Sequence, residues 1–97
     1  MKVTIQQEEE KAVTLKIEGR VTGPNVPELG RAWQDLAPTL GSRKLWVDLR
    51  GVTFVDTAGR RLLAQIHDKT GAEFLADTPM IKYYAEEAKQ SIRASGK

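Results

Sequence analysis

Apolar and polar residues alternate in three stretches of the chain. Val3 and Ile5 alternate with Thr4 and Gln6. Val13, Leu15 and Ile17 alternate with Thr14, Lys16 and Glu18, and Leu45, Val47 and Leu49 with Trp46, Asp48 and Arg50. A period of two predicts strands with one buried face. The polar stretch 7–11, with its solvated Glu8-Glu9-Glu10 run, is short enough for a hairpin, so the first two strands are expected to be antiparallel. Residues 19–24 read as a loop. The period then lengthens. Val26, Leu29, Trp33 and Leu36 predict a helix, with Asn25 as its cap, Glu28 completing a capping box and Pro27 tolerated in the first turn. Pro38 ends it, and Gly41-Ser42 leads into the third strand.

That strand is expected to break at Gly51, with Val52, Phe54 and Val55 anchoring the connection that follows. Asp56 then stands where an N-cap belongs, able to accept the free N–H of Ala58 or Gly59. Leu62, Leu63 and Ile66 follow at helical spacing, and Thr70-Gly71 closes the helix. Residues 73–76 read as a short strand. Asp77 or Thr78 caps a last helix that packs through Ile81, Tyr84, Ala88 and Ile92, and the tail 94–97 is expected to fray. The order is β-β-α-β-α-β-α, and right-handed crossovers make the later strands parallel. One face of the strands carries Thr14, Lys16, Glu18, Trp46 and Asp48, which a sheet covered on both sides would not tolerate. The prediction is a two-layer α/β fold: a mixed sheet of about four strands with helices on one face only. Trp46 and Leu75 fall on the open face, an apolar patch suited to self-association as a homodimer.

Composition narrows the function. Ninety-seven residues are expected to form one domain spanning 1–97. There is no cysteine, hence no disulfide framework and no thiol chemistry. Fifteen basic against thirteen acidic residues, a net charge of +2, is too weak an excess to indicate nucleic acid. The N-terminus turns acidic before any long apolar run, so a signal peptide is not expected. No run reaches membrane-span length, so the expectation is a cytoplasmic protein without membrane insertion. His67 is the only histidine, which leaves zinc unsupported, and no GxxxxGK loop is present. Thr57 and His67 lie ten helical residues apart, about 15 Å, too far for a nucleophile–base pair. No enzymatic activity, cofactor or metal is expected. His67 reads as a helix-edge residue, and Tyr83 and Tyr84 as packing residues.

The chemistry gathers at the start of the second helix, where Thr57 follows the capping aspartate beside free backbone donors and the positive helix end. The run Phe54-Val55-Asp56-Thr57-Ala58-Gly59 resembles the STAS domain of anti-sigma-factor antagonists and of anion-transporter tails. Its pattern is an apolar strand, Asp-Ser/Thr-Ser/Thr/Ala/Gly-Gly, then an apolar helix. The order of elements agrees over nearly the whole chain. The resemblance implies a non-enzymatic regulatory domain that docks a protein partner. In the antagonists that partner is a serine/threonine kinase that is also the anti-sigma factor, and it phosphorylates the residue corresponding to Thr57. Asp56, beyond its role as N-cap, would join the surface presented to the partner. Ala58 and Gly59 would be small so that the partner can approach.

Two departures stand out. Arg60 and Arg61 replace a large apolar residue and a glycine. They share the helical face of Thr57 and, with the free amides, form a candidate anion site. Gly19-Arg20-Val21-Thr22 stands where the antagonists commonly have Gly-Glu-Leu-Asp, so Arg20 and Thr22 would make the docking surface basic. Two alternatives follow: an unswitched accessory subunit of a STAS-containing lipid-transport ATPase complex, and a weak nucleic-acid-binding module using Arg20, Arg60 and Arg61.

Overall fold

A computed structural model describes the backbone of residues 1–95 and the side chains of residues 1–7 and 10–90. Strands β1 (Lys2–Glu9), β2 (Ala12–Val21), β3 (Lys44–Val55) and β4 (Glu73–Leu75) form one sheet in the order β1-β2-β3-β4. β1 and β2 are antiparallel, while β2–β3 and β3–β4 are parallel. Helices α1 (Val26–Leu36), α2 (Thr57–Thr70) and α3 (Pro79–Ser95) alternate with the later strands. Among the described residues, one core holds Val13, Leu15 and Ile17 of β2, Leu45, Val47 and Leu49 of β3, and buried residues from all three helices. These are the alternating positions of one sheet face, so the helices form a single layer. The chain is therefore a mixed four-stranded α/β sandwich of one sheet and one helix layer.

The open face holds its charges as the alternation requires. Trp46 is half-buried, with Lys44 Nζ 4.5 Å from its ring centre, and among the described residues it is not part of the core beneath the helices. Asp48 is only 4% exposed, because its own neighbour covers it. The Arg50 guanidinium donates to both carboxylate oxygens, at 3.0 and 2.9 Å.

Several local expectations are corrected. β1 extends to Glu9, so the turn is shorter than residues 7–11. β3 does not break at Gly51; it runs on to Val55. The three β2 residues from Lys16 to Glu18 face the four β3 residues from Asp48 to Gly51, so the extra residue is taken up as a bulge. Asp48 Oδ1 accepts the Arg50 N–H at 3.0 Å, which satisfies a donor that the bulge takes out of the ladder. Gly51 faces Glu18, and a Cβ there would come within 2.9 Å of the Glu18 Cγ. Asn25 makes no capping bond; a 3₁₀ turn at Gly23–Asn25 precedes α1, and the Asn25 amide donates back to the Arg20 carbonyl at 2.9 Å. Tyr83 is 62% exposed and is not a packing residue, whereas Tyr84 packs on the core. Thr78 caps α3, its hydroxyl accepting from Ile81 N–H at 3.3 Å. The Ile92 side chain and residues 96–97 lie outside the described part of the chain, and Ala94 and Ser95 are helical.

Candidate functional site

The site sits where two parallel strands end side by side. Val21 of β2 pairs with Val55 of β3, so the residues after each strand emerge together at the same sheet edge. Asp56 joins them. Its backbone N–H donates to Val21 O at 3.1 Å. Oδ1 accepts the Gly59 N–H at 2.9 Å, the expected N-cap bond, and Oδ2 accepts the Gly23 N–H at 2.8 Å. The carboxylate thus ties α2 to the loop that precedes α1. These two amides, first Gly59 and then Gly23, hold the Asp56 pKa below the ordinary carboxylate value, because both bonds favour the charged form.

Gly59 is turned inward. A Cβ there would lie 2.7 Å from Val21 O and 2.9 Å from Cγ1 of both Val21 and Val55. Its small size therefore has an internal cause, the close seating of α2 on the two strand ends, rather than the approach of a partner. Ala58 is half-buried and remains beside the exposed surface.

Thr57 is exposed at the first turn of α2. Its only described side-chain bond is a long one, 3.4 Å from Arg60 Nη2. Arg60 reaches from there to α3: its Nε lies 3.6 Å from Glu87 Oε1, and its guanidinium sits 5.2 Å from the centre of the Tyr84 ring. Thr57, Arg60, Arg61 and Glu87 line a shallow recess of about 140 Å³. Arg61 is exposed. The cation that opposes the helix dipole is thus explained by an acidic and an aromatic partner on the neighbouring helix. Glu87 and Tyr84 were not predicted as site residues. The signal was present in an arginine placed where the dipole disfavours it, but the register of α3 against α2 is a tertiary fact.

The predicted residues do not all converge. Asp56, Thr57, Ala58, Arg60 and Arg61 share the start of α2, and Thr22 adjoins it through Gly23. Arg20 stands apart, its guanidinium 5.1 Å from the Phe54 ring centre, and these two residues pair across β2 and β3. They flank buried Val21 and Val55, so they lie on the open sheet face. The three arginines therefore form no single basic stripe. His67 is committed elsewhere, with Nδ1 2.7 Å from Ala72 O and its ring against Phe74. Among the described residues no three His, Asp or Glu side chains converge as a metal would need.

Comparison with known proteins decides the family. A family profile described as "Mlab, STAS domain" matches residues 4–73. The chain belongs to the STAS domain family. The match spans β1 to the start of β4, including the whole Asp56–Arg61 segment. Among solved structures, an anti-sigma factor antagonist from Mycobacterium paratuberculosis superposes with a TM-score of 0.69 at 21% identity, over 98% of this chain and 79% of that one. The Bacillus cell fate determinant SpoIIAA in its phosphorylated form gives 0.63 at 15% identity, over 98% and 84%. Mglu gives 0.61 at 24% identity over 78% of this chain, which spans only 19% of the Mglu chain. At these identities the likeness is one of fold. None of the curated proteins matches the sequence. Among the described residues no helix is long and apolar enough to cross a membrane.

Proposed function

We propose that this STAS domain is a non-enzymatic regulatory module that docks a protein partner through the start of α2, and that phosphorylation of Thr57 releases the partner. The partner would be an anti-sigma factor with serine/threonine kinase activity, met in the cytoplasm. The observation that carries this reading is the division of labour between two adjacent residues. Asp56 is held by two amides and builds the junction, while the Thr57 hydroxyl is exposed and, among the described residues, has no structural bond shorter than 3.4 Å. A hydroxyl that the fold does not use, at the positive end of a helix and flanked by Arg60 and Arg61, suits reversible modification. SpoIIAA, solved in unphosphorylated and phosphorylated forms, supports the idea that this fold can carry phosphate. Asp56, Ala58, Arg61 and Thr22 would surround the docked partner; Gly59 would act from beneath by seating the helix.

A second reading is a fixed accessory subunit of a transport ATPase complex. The departures from the antagonist pattern favour it: Arg60 and Arg61 after Thr57, and the absence of acidic residues at Arg20–Thr22, where β2 ends.

Affinity capture from the native cell, combined with intact-mass measurement of the bait, separates the two. A captured kinase of the ATPase-fold type, with a fraction of bait phosphorylated at Thr57, supports the switch. A captured transport ATPase, with Thr57 unmodified in every growth condition, supports the fixed subunit and overturns the switch.

A further inference from the structure

Two of the three large apolar side chains that stand exposed among the described residues are on α3, Met80 at 46% and Tyr83 at 62%. A lone exposed apolar residue is ordinary, but a group of them beside cations marks an interaction surface. Met80 and Tyr83 are three residues apart and so neighbours on the helix.

The rotation of α3 decides where they point. Ile81, Ala85 and Ala88 are buried and fix the core side of the helix. At about 3.6 residues per turn, Met80, Tyr84 and Glu87 then share one flank. That flank faces the start of α2, because Tyr84 and Glu87 are the residues that meet the Arg60 guanidinium. Met80 stands one turn ahead of Tyr84 on the same flank. Tyr83 stands beside it, its ring centre 6.0 Å from that of Tyr84. Thr57, Arg60, Tyr84 and Tyr83 are thus successive neighbours, and the apolar patch continues the surface around Thr57. The fold does not use it: neither Met80 nor Tyr83 belongs to the core or packs against it.

We infer that the partner docked at the start of α2 presents an amphipathic acidic segment, its apolar side chain seated on Met80 and Tyr83 and its carboxylate held by Arg61 and Arg60. This rests on the docking proposed at Thr57 and names the chemistry of the partner's side. Tyrosine offers a large contact area with few rotatable bonds, which is why it carries binding energy at interfaces. Charge selects the occupant. Arg61 is exposed and asks for an acidic group, whereas a second copy docked through the same patch would bring two basic surfaces together across a two-fold axis. Phosphate on Thr57 would compete for the same arginines and leave Met80 and Tyr83 untouched.

The test needs no knowledge of the partner. Random peptides of about twelve residues, displayed on phage, are panned against the full chain. Enriched peptides are synthesised and titrated by fluorescence anisotropy against wild type, Tyr83→Ser, Met80→Ser, Arg61→Glu and Ala58→Leu. The Tyr83 and Met80 variants should melt with wild type, since both residues lie outside the core. Enriched peptides should carry an acidic residue three or four positions from a leucine, isoleucine or phenylalanine, as a helix face would present them. Tyr83→Ser and Arg61→Glu should each weaken them at least about tenfold, and Met80→Ser severalfold. Peptides weakened by Ala58→Leu and Arg61→Glu, yet bound equally by Tyr83→Ser and Met80→Ser, overturn the inference and leave docking at α2 standing. Peptides bound equally by Arg61→Glu and wild type overturn it in favour of a merely apolar patch. Peptides indifferent to all the variants, or no enrichment, overturn it and also count against docking at α2. Vesicles of phosphatidylglycerol are the control: binding to them that Tyr83→Ser removes, without the peptide effect, assigns the patch to a lipid surface and overturns the inference.

Discussion

Asp56 is the residue on which the junction turns. Because Gly59 and Gly23 amides stabilise its charged form, its pKa in the folded chain is depressed. A depressed carboxylate contributes stability that is fully present above the ordinary value of 3.8 and is lost as pH falls through the lowered folded value. Asp56→Asn should therefore melt below wild type at neutral pH, and the gap should narrow as the solution is acidified below pH about 4. Asparagine can still cap α2, but one of its two polar atoms is a donor, so it cannot receive both the Gly59 and the Gly23 N–H. Thermal melts of the two proteins across pH 3–7 check this; a gap independent of pH would contradict it. Gly59 gives a second prediction at this scale. With a Cβ 2.7–2.9 Å from Val21 and Val55 atoms, Gly59→Ala should destabilise by about 1–3 kcal/mol, the usual cost of overpacking, read as a lower urea midpoint. Ala58→Leu, beside the surface, should weaken partner binding more than stability.

Among the elements, the pairing of α2 with α3 shapes the candidate anion site. Glu87 occupies Arg60 from α3 and so competes with any phosphate or acidic partner group that approaches Thr57. Glu87→Ala should tighten the binding of an acidic partner peptide, with little change in melting, since a half-exposed ion pair is worth about 0–1 kcal/mol. Titration calorimetry of the variant checks it, and weaker binding would contradict it. The elements also show what a sequence can carry. The faces of β2 and β3, the N-cap at Asp56 and the left-handed Gly71 at the end of α2 are local matters of alternation, side-chain reach and φ, and they were legible, whereas Ile5 of β1 is exposed despite its alternation. The run of β3 through Gly51 was not, because a glycine that breaks a strand and a glycine that fits a bulge beside Glu18 look alike until the partner strand is in place. Asn25 has the chemistry of a cap, yet a 3₁₀ turn brings the Arg20 carbonyl into competition for its side chain. Within the site, Asp56 and Thr57 could be found from the motif, while Gly23, Tyr84 and Glu87 come from distant parts of the chain and only packing brings them there.

For the molecule as a whole, the one-sided sheet separates two surfaces. The sheet edge around Thr57 is the proposed docking surface, and the open face carries Trp46, Phe54 and Leu75 under partial cover of Lys44 and Arg20. Trp46→Ser should leave the fold intact, because Trp46 is not part of the core, and should weaken any self-association seen by sedimentation; an unfolded variant would contradict the one-sided architecture. The central claim is that Thr57 is a switch carried on a fold indifferent to its state. The most direct measurement is the affinity of the captured partner for unmodified, Thr57-phosphorylated and Thr57→Ala protein, taken with their melting temperatures. The helix N-terminus stabilises negative charge by about 0.3–1 kcal/mol, and the arginines can add charge-assisted bonds. Phosphoprotein should therefore melt close to the unmodified protein yet bind at least tenfold more weakly, a difference of about 1.4 kcal/mol, while Thr57→Ala binds nearly as well as wild type. Undiminished binding by the phosphoprotein, together with lost binding in Thr57→Ala, would contradict the account.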